Sequence, residues 1–144
     1  MINGLKCEAL SLIPGEKGSV IKLIQKDKNS FPRFGEAYLS TIKQNEIKGW
    51  KKHTKMTCNL VVVTGEIEFI IHDFKDEDQT IIESNNFLLN QDNYKKLTIP
   101  PCLWFGFKGI AKKNIVLNIT DMMHDDAEVL GQEVDYDIFP SLRL

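Results

Sequence analysis

Lys51-Lys52-His53-Thr54-Lys55-Met56-Thr57-Cys58-Asn59-Leu60-Val61-Val62-Val63-Thr64-Gly65-Glu66-Ile67-Glu68-Phe69-Ile70-Ile71 carries the pattern that decides the fold. From Cys58 to Thr64 it is an apolar run rich in valine; Gly65 breaks it, and Glu66 to Ile71 restarts with partial period-two alternation. Branched residues suit a pleated surface, and glycine reaches backbone angles that other residues avoid. The stretch therefore predicts two strands meeting at a hairpin-like barrel corner. Upstream, Ser19 to Ile24 and Gly35 to Ile42 read as strands, punctuated by Pro14-Gly15 and by Asn29-Ser30-Phe31-Pro32. Downstream, a turn at Lys75-Asp76-Glu77-Asp78 leads to a strand over Thr80 to Glu83, and Asn85-Asn86 reads as a further turn. Tyr94 to Ile99 and Asn114 to Thr120 are the last clear strands. Strands at this spacing, with no long amphipathic helix, predict an all-β sandwich or jelly roll. The tail from Met122 to Leu144 mixes acids with Val134, Ile138 and Phe139 and is expected to wrap the barrel as a short helix and loop.

A chain of 144 residues fits one domain, 1–144, with one core. A formal charge of -2 gives no electrostatic reason to expect nucleic acid. No apolar run reaches the roughly 18 residues of a membrane span, and the start Met1-Ile2-Asn3-Gly4-Leu5-Lys6 lacks the apolar core of a secretion signal, so the expected compartment is the cytoplasm. Cys7, Cys58 and Cys102 are odd in number and widely spaced, which fits reduced thiols rather than a disulfide framework.

By strand alternation Lys51 and His53 share one face and Lys52 takes the other. Two readings of His53 stand side by side: a proton carrier at a barrel mouth, or a hydrogen-bonded core histidine. Lys48, Lys51, Lys52 and Lys55 form a basic run that suits a diphosphate, or else a solvated edge that discourages sheet-to-sheet pairing. Cys58 reads as a packed thiol, with a thiolate nucleophile as the minor alternative. Of the neighbours Trp104 and Phe105, at most one can line a pocket, and Phe105 is the choice. His124-Asp125-Asp126 with Glu128 looks like a small metal cluster but reads better as an exposed helix start.

Farther along stands Ile99-Pro100-Pro101-Cys102-Leu103-Trp104-Phe105-Gly106-Phe107. With Lys51-x-His53-x4-Cys58-x6-Gly65, it resembles the two-part signature of cupin barrels. The places of the metal ligands hold Lys51, His53, Cys58 and Phe105, so one imidazole survives beside a cation, which argues against a divalent site and for a metal-free barrel. Read from Glu16 to Asp121, the chain is similar to the dTDP-4-dehydrorhamnose 3,5-epimerase family, whose Ile-Pro-Pro-Gly-x-x-His-Gly-Phe parallels Ile99 to Phe107. Further echoes are Lys17-Gly18, Glu36-x-Tyr38-x-Ser40, Ile47-Lys48-Gly49-Trp50 and Thr120-Asp121.

That resemblance implies a double-stranded β-helix, a nucleotide-linked 4-keto sugar as partner, no cofactor and a homodimer. It also implies a base histidine, which falls on Lys51 in strict alignment and on His53 after a two-residue slip. His53 is preferred because an imidazole titrates near neutrality. The family's oxyanion lysine falls on Cys58, its phosphate-side arginine on Lys48, and its acid tyrosine near Leu117, next to Asn118. Its orienting acid from the C-terminal segment points to Asp135 or Asp137. The expected site is thus His53 and Lys51 as catalytic groups, with Glu36, Tyr38, Lys48, Cys58, Phe105 and Asn118 binding substrate, Asp135 orienting the imidazole, and no metal. The expected activity is epimerisation or isomerisation by proton transfer next to a ketone, in surface polysaccharide biosynthesis. The rival is a barrel that binds a sugar nucleotide or partner without turnover, and a metal-dependent cupin enzyme is a more distant third.

Overall fold

The computed structural model describes residues 1–26, 33–75 and 80–131. Among the described residues there is no helix, and the strands in chain order are β1 (Lys6–Ala9), β2 (Ser11–Ile13), β3 (Val20–Lys22), β4 (Glu36–Lys43), β5 (Ile47–His53), β6 (Cys58–Thr64), β7 (Glu66–Phe74), β8 (Ile81–Asn90), β9 (Lys95–Ile99), β10 (Trp104–Gly109), β11 (Lys113–Thr120) and β12 (Val129–Gly131). One five-stranded sheet runs β1-β9-β6-β11-β4, a second runs β12-β5-β10-β7-β8, and β2 pairs with β3 apart from both. Neighbouring strands pair antiparallel throughout, the jelly roll that the strand spacing predicts.

The core lies between the two large sheets. Alternation along β7 turns Ile67, Phe69 and Ile71 into it, against Leu60 and Val62 of β6 and Leu97 and Ile99 of β9. Emptying the Phe69 position would cost about 3–5 kcal/mol, since a close-packed interior relaxes only partly around a void. The opposite face of β7 carries Ile70 and His72 into a second cluster with Trp50, Phe74 and Trp104. His72 Nδ1 lies 2.6 Å from Ser84 Oγ, and burial lowers the imidazole's pKa to about 4, so the ring is neutral at ordinary pH.

The predicted corner is where β6 of the first sheet becomes β7 of the second. Gly65 sits at φ 80°, and a side chain there would overlap the Lys113 carbonyl and the Asn114 side chain. Asn114 ties the corner together. Its Oδ1 accepts from the Glu66 amide at 3.0 Å and its Nδ2 donates to the Ile42 carbonyl at 3.1 Å.

Two expectations need correction. Asn85-Asn86 is no turn: β8 runs straight through, with Asn85 opposite Ile71 and Asn86 opposite Ile70, and Asn85 Oδ1 accepts the amide of Ile2. A polar side chain with a tertiary partner here overrides its turn preference. The turn comes instead at Asn90, whose Oδ1 accepts from Asp92 and Asn93. The helix start expected at His124 is likewise a loop of turns, followed by β12. The readings at Asn29 to Pro32, at Asp76 to Asp78 and beyond Gly131, with Asp135 among them, lie outside the described residues. Among the described residues no helix is long and apolar enough to cross a membrane.

Candidate active site

Between the sheets opens a cavity of about 810 Å³. β4 and β11 of the first sheet contribute Glu36, Tyr38, Ser40 and Asn118; β5 and β10 of the second contribute Lys48, Lys51, His53 and Phe105. Seven of the expected site residues on that list therefore converge from four strands. Lys52, on the alternate face of β5, lies 5.6 Å from the Trp104 ring instead, and Phe105 rather than Trp104 lines the cavity.

His53 is buried at the end of β5 and is held on several sides. Its carbonyl accepts the Cys102 amide at 2.6 Å, so the Pro100-Pro101-Cys102 turn fixes the backbone, and its ring stacks on Phe105 with centroids 6.1 Å apart. Nδ1 lies 2.5 Å from Oε1 of Glu128, a carboxylate that is 1% exposed. Oε2 of that carboxylate accepts the amides of Lys55 and Met56, each at 3.2 Å. The Glu128 carbonyl takes the Thr54 amide at 2.8 Å and the Thr54 hydroxyl at 2.9 Å. Burial alone would raise the Glu128 pKa, but the hydrogen bonds from His53, Lys55 and Met56 and the charge of His53 together hold it below the ordinary value. An ionised carboxylate only accepts, so Nδ1 of His53 donates, and Nε2 is left as the nitrogen able to take a proton.

Across the cavity, Asn118 Nδ2 donates to the Tyr38 hydroxyl oxygen at 2.8 Å. Burial raises the Tyr38 pKa, so this side chain is a phenol whose own O–H remains to be donated. Lys48 Nζ donates to the Thr41 carbonyl at 2.5 Å and to Ser40 Oγ at 3.2 Å, which pins its charge at the far end of the cavity from His53. The Lys51 side chain has no hydrogen bond or ion pair to another described residue and lies between these two ends.

Cys58 is a correction. It sits in the core at 1% exposure and does not line the cavity; burial pushes its thiol up to about 11, against a smaller opposing hydrogen bond with Asn118. It is neither a substrate contact nor a thiolate. Glu128 is what the sequence reading missed: it was grouped with exposed acids, and its partner stands 75 residues away in sequence. Among the described residues no three His, Cys, Asp or Glu side chains gather as a metal ion would require.

No protein-family model matches the sequence. A dTDP sugar isomerase from Desulfovibrio desulfuricans G20 is 31% identical, with 96% of this chain and 89% of that one aligned at a TM-score of 0.86. The chain belongs to this dTDP-sugar isomerase and epimerase family. The spore coat polysaccharide biosynthesis protein SpsL of Bacillus subtilis is 22% identical over 138 residues, 95% of this chain and 91% of SpsL. The sugar 3,4-ketoisomerase QdtA of Thermoanaerobacterium thermosaccharolyticum, solved with TDP, shares the fold at a TM-score of 0.74 and 18% identity over 98% of this chain and 95% of its own. A mutant of QdtA has also been solved with TDP-4-keto-6-deoxyglucose bound. The family placement agrees with the resemblance read from Ile99 to Phe107.

Proposed function

We propose that the chain is an epimerase or isomerase of a nucleotide-linked 4-keto sugar, serving polysaccharide or glycan biosynthesis. The observation that carries the reading is His53, held by a buried carboxylate and facing a cavity that also presents Tyr38, Lys51 and Lys48. In this reading His53 Nε2 takes the proton from the carbon next to the ketone. The C–H electron pair moves into the carbon–carbon bond and the carbonyl pair onto oxygen, giving an enolate. Tyr38 donates its O–H to that oxygen, and the Lys51 ammonium stabilises the developing charge. Glu128 keeps Nδ1 protonated and offsets the charge that His53 acquires. Lys48 marks the diphosphate end, so the sugar lies toward His53. The same reading takes the reaction to need no metal, the protein to work in the cytoplasm, and the unit to be a homodimer. Dimerisation has support in Leu12, Ile13 and Val20 of the β2–β3 ribbon, which are all exposed.

Incubation with TDP-4-keto-6-deoxyglucose in D2O tests the proposal. Solvent deuterium should enter the sugar ring, and the His53→Asn variant should abolish it. Ligand-raised melting without deuterium uptake would instead show a binding protein, and bound iron, zinc or manganese needed for turnover would overturn the metal-free part.

A further inference from the structure

The segment 121–128 leaves β11 in the first sheet and delivers the chain to β12 on the edge of the second, so it roofs the mouth of the cavity. Asp121 Oδ1 accepts the Thr57 amide at 2.9 Å, and Asp125 caps the turn through its carbonyl to Glu128 N at 3.1 Å. At its far end the roof supplies Glu128 to His53. Nearer the first sheet it carries a second imidazole, His124, which lines the same cavity. The His124 amide donates to Glu36 Oε1 of β4 at 3.1 Å, which fastens the residue to the wall facing His53. Its Nε2 lies 2.6 Å from Asp126 Oδ1.

The cavity thus has two imidazole–carboxylate pairs, one anchored on each sheet. In His53 the carboxylate holds Nδ1 and leaves Nε2; in His124 the carboxylate holds Nε2 and leaves Nδ1. The two differ in surroundings. His53 is buried, whereas the His124 side chain is 61% exposed.

We propose that His124 is a second proton carrier of the site, reaching a bound sugar from the face opposite His53, so that the chain inverts a ring carbon. The proposal rests on the keto-sugar reading above. His53 Nε2 removes the proton on one face and leaves the enolate with Tyr38 and Lys51. His124 then gives its Nδ1 proton to the same carbon from the other face, and the enolate oxygen reverts to the ketone. The imidazoles end with one proton gained by His53 and one lost by His124, and solvent resets both. Asp126 acts as a positioning residue that fixes which nitrogen of His124 is free.

The test follows exchange and inversion separately by NMR, with TDP-4-keto-6-deoxyglucose in D2O. The wild-type chain should give inverted product carrying solvent deuterium. His124→Asn should still wash deuterium into recovered substrate, because His53 can return a proton to the face it took one from, while inversion falls at least tenfold. Asp126→Asn should lower inversion less and leave exchange intact. TDP affinity should be unchanged in both, since His124 stands at the sugar end. Inversion within twofold of wild type in His124→Asn would overturn the proposal. So would wild-type product in which the ketone moves with no inverted centre, and that outcome would leave the keto-sugar reading standing. A wild-type chain that neither exchanges nor binds the sugar nucleotide would instead remove that reading, and the inference with it.

Discussion

Replacing Glu128 by glutamine keeps the size of the side chain and removes its charge. In the native site the carboxylate accepts the His53 ring N–H and the amides of Lys55 and Met56. A glutamine oxygen can keep the two amides, but its NH2 group then faces His53 Nδ1. That nitrogen must become an acceptor, and the proton moves to Nε2, where a base needs a lone pair. A charge-assisted hydrogen bond of this kind is worth about 1.5–3 kcal/mol, which converts at about 1.4 kcal/mol per decade to a roughly 10- to 150-fold fall in kcat. KM should change little, because Glu128 meets the substrate only through His53. The pH dependence of stability should change as well. The folded pKa of Glu128 lies below its ordinary value, so its contribution is complete above that ordinary value and is lost as pH falls through the lower folded one. Wild type should therefore lose melting temperature in acid over that window, and Glu128→Gln should start lower at pH 7 and fall less. The assays are steady-state turnover, deuterium wash-in and melting between pH 3 and pH 7. Turnover within twofold of wild type, with an unchanged acid limb, would refute the role given to Glu128.

His72, with its pKa lowered from 6.5 to about 4, should supply stability that is complete above 6.5 and lost as pH falls toward 4, up to about 3 kcal/mol; His72→Leu should flatten that part of the melting curve, and an unchanged slope would count against it. Lys48→Gln should weaken TDP binding about tenfold and reduce its salt dependence, measured by calorimetry at two ionic strengths; equal affinity would move the diphosphate elsewhere. A thiol reagent at pH 8 should label exposed Cys102 well before Cys58, whose thiol is pushed up to about 11, and Cys58→Ala should lower stability by about 1–2 kcal/mol with turnover within a few-fold of wild type.

Much of this site was readable in the chain because the relevant signals are local. Gly65 after a valine run announces a corner by backbone chemistry alone, and alternation along β5 put Lys51 and His53 on one face and Lys52 on the other. Phe105 was separable from Trp104 for the same reason. Glu128 was not readable, since nothing in His124-Asp125-Asp126-Ala127-Glu128 says that one acid turns inward to meet a residue of β5. What distinguishes it is burial beside three donors, which only the fold creates. Cys58 failed in the opposite way: its spacing matched a ligand position, but its side chain points into the core rather than into the cavity. Asn85-Asn86 failed because turn preference is a weak local bias beside a full ladder to β7.

A crystal structure of His53→Asn soaked with TDP-4-keto-6-deoxyglucose tests the central claim most directly, because it asks whether the sugar is delivered to residue 53. The account predicts TDP toward Lys48 and a ring carbon next to the ketone within about 3.5 Å of the residue 53 side chain, with Tyr38 on the ketone oxygen. Density for the sugar at the Lys48 end, or a ligand bound outside this cavity, would contradict it.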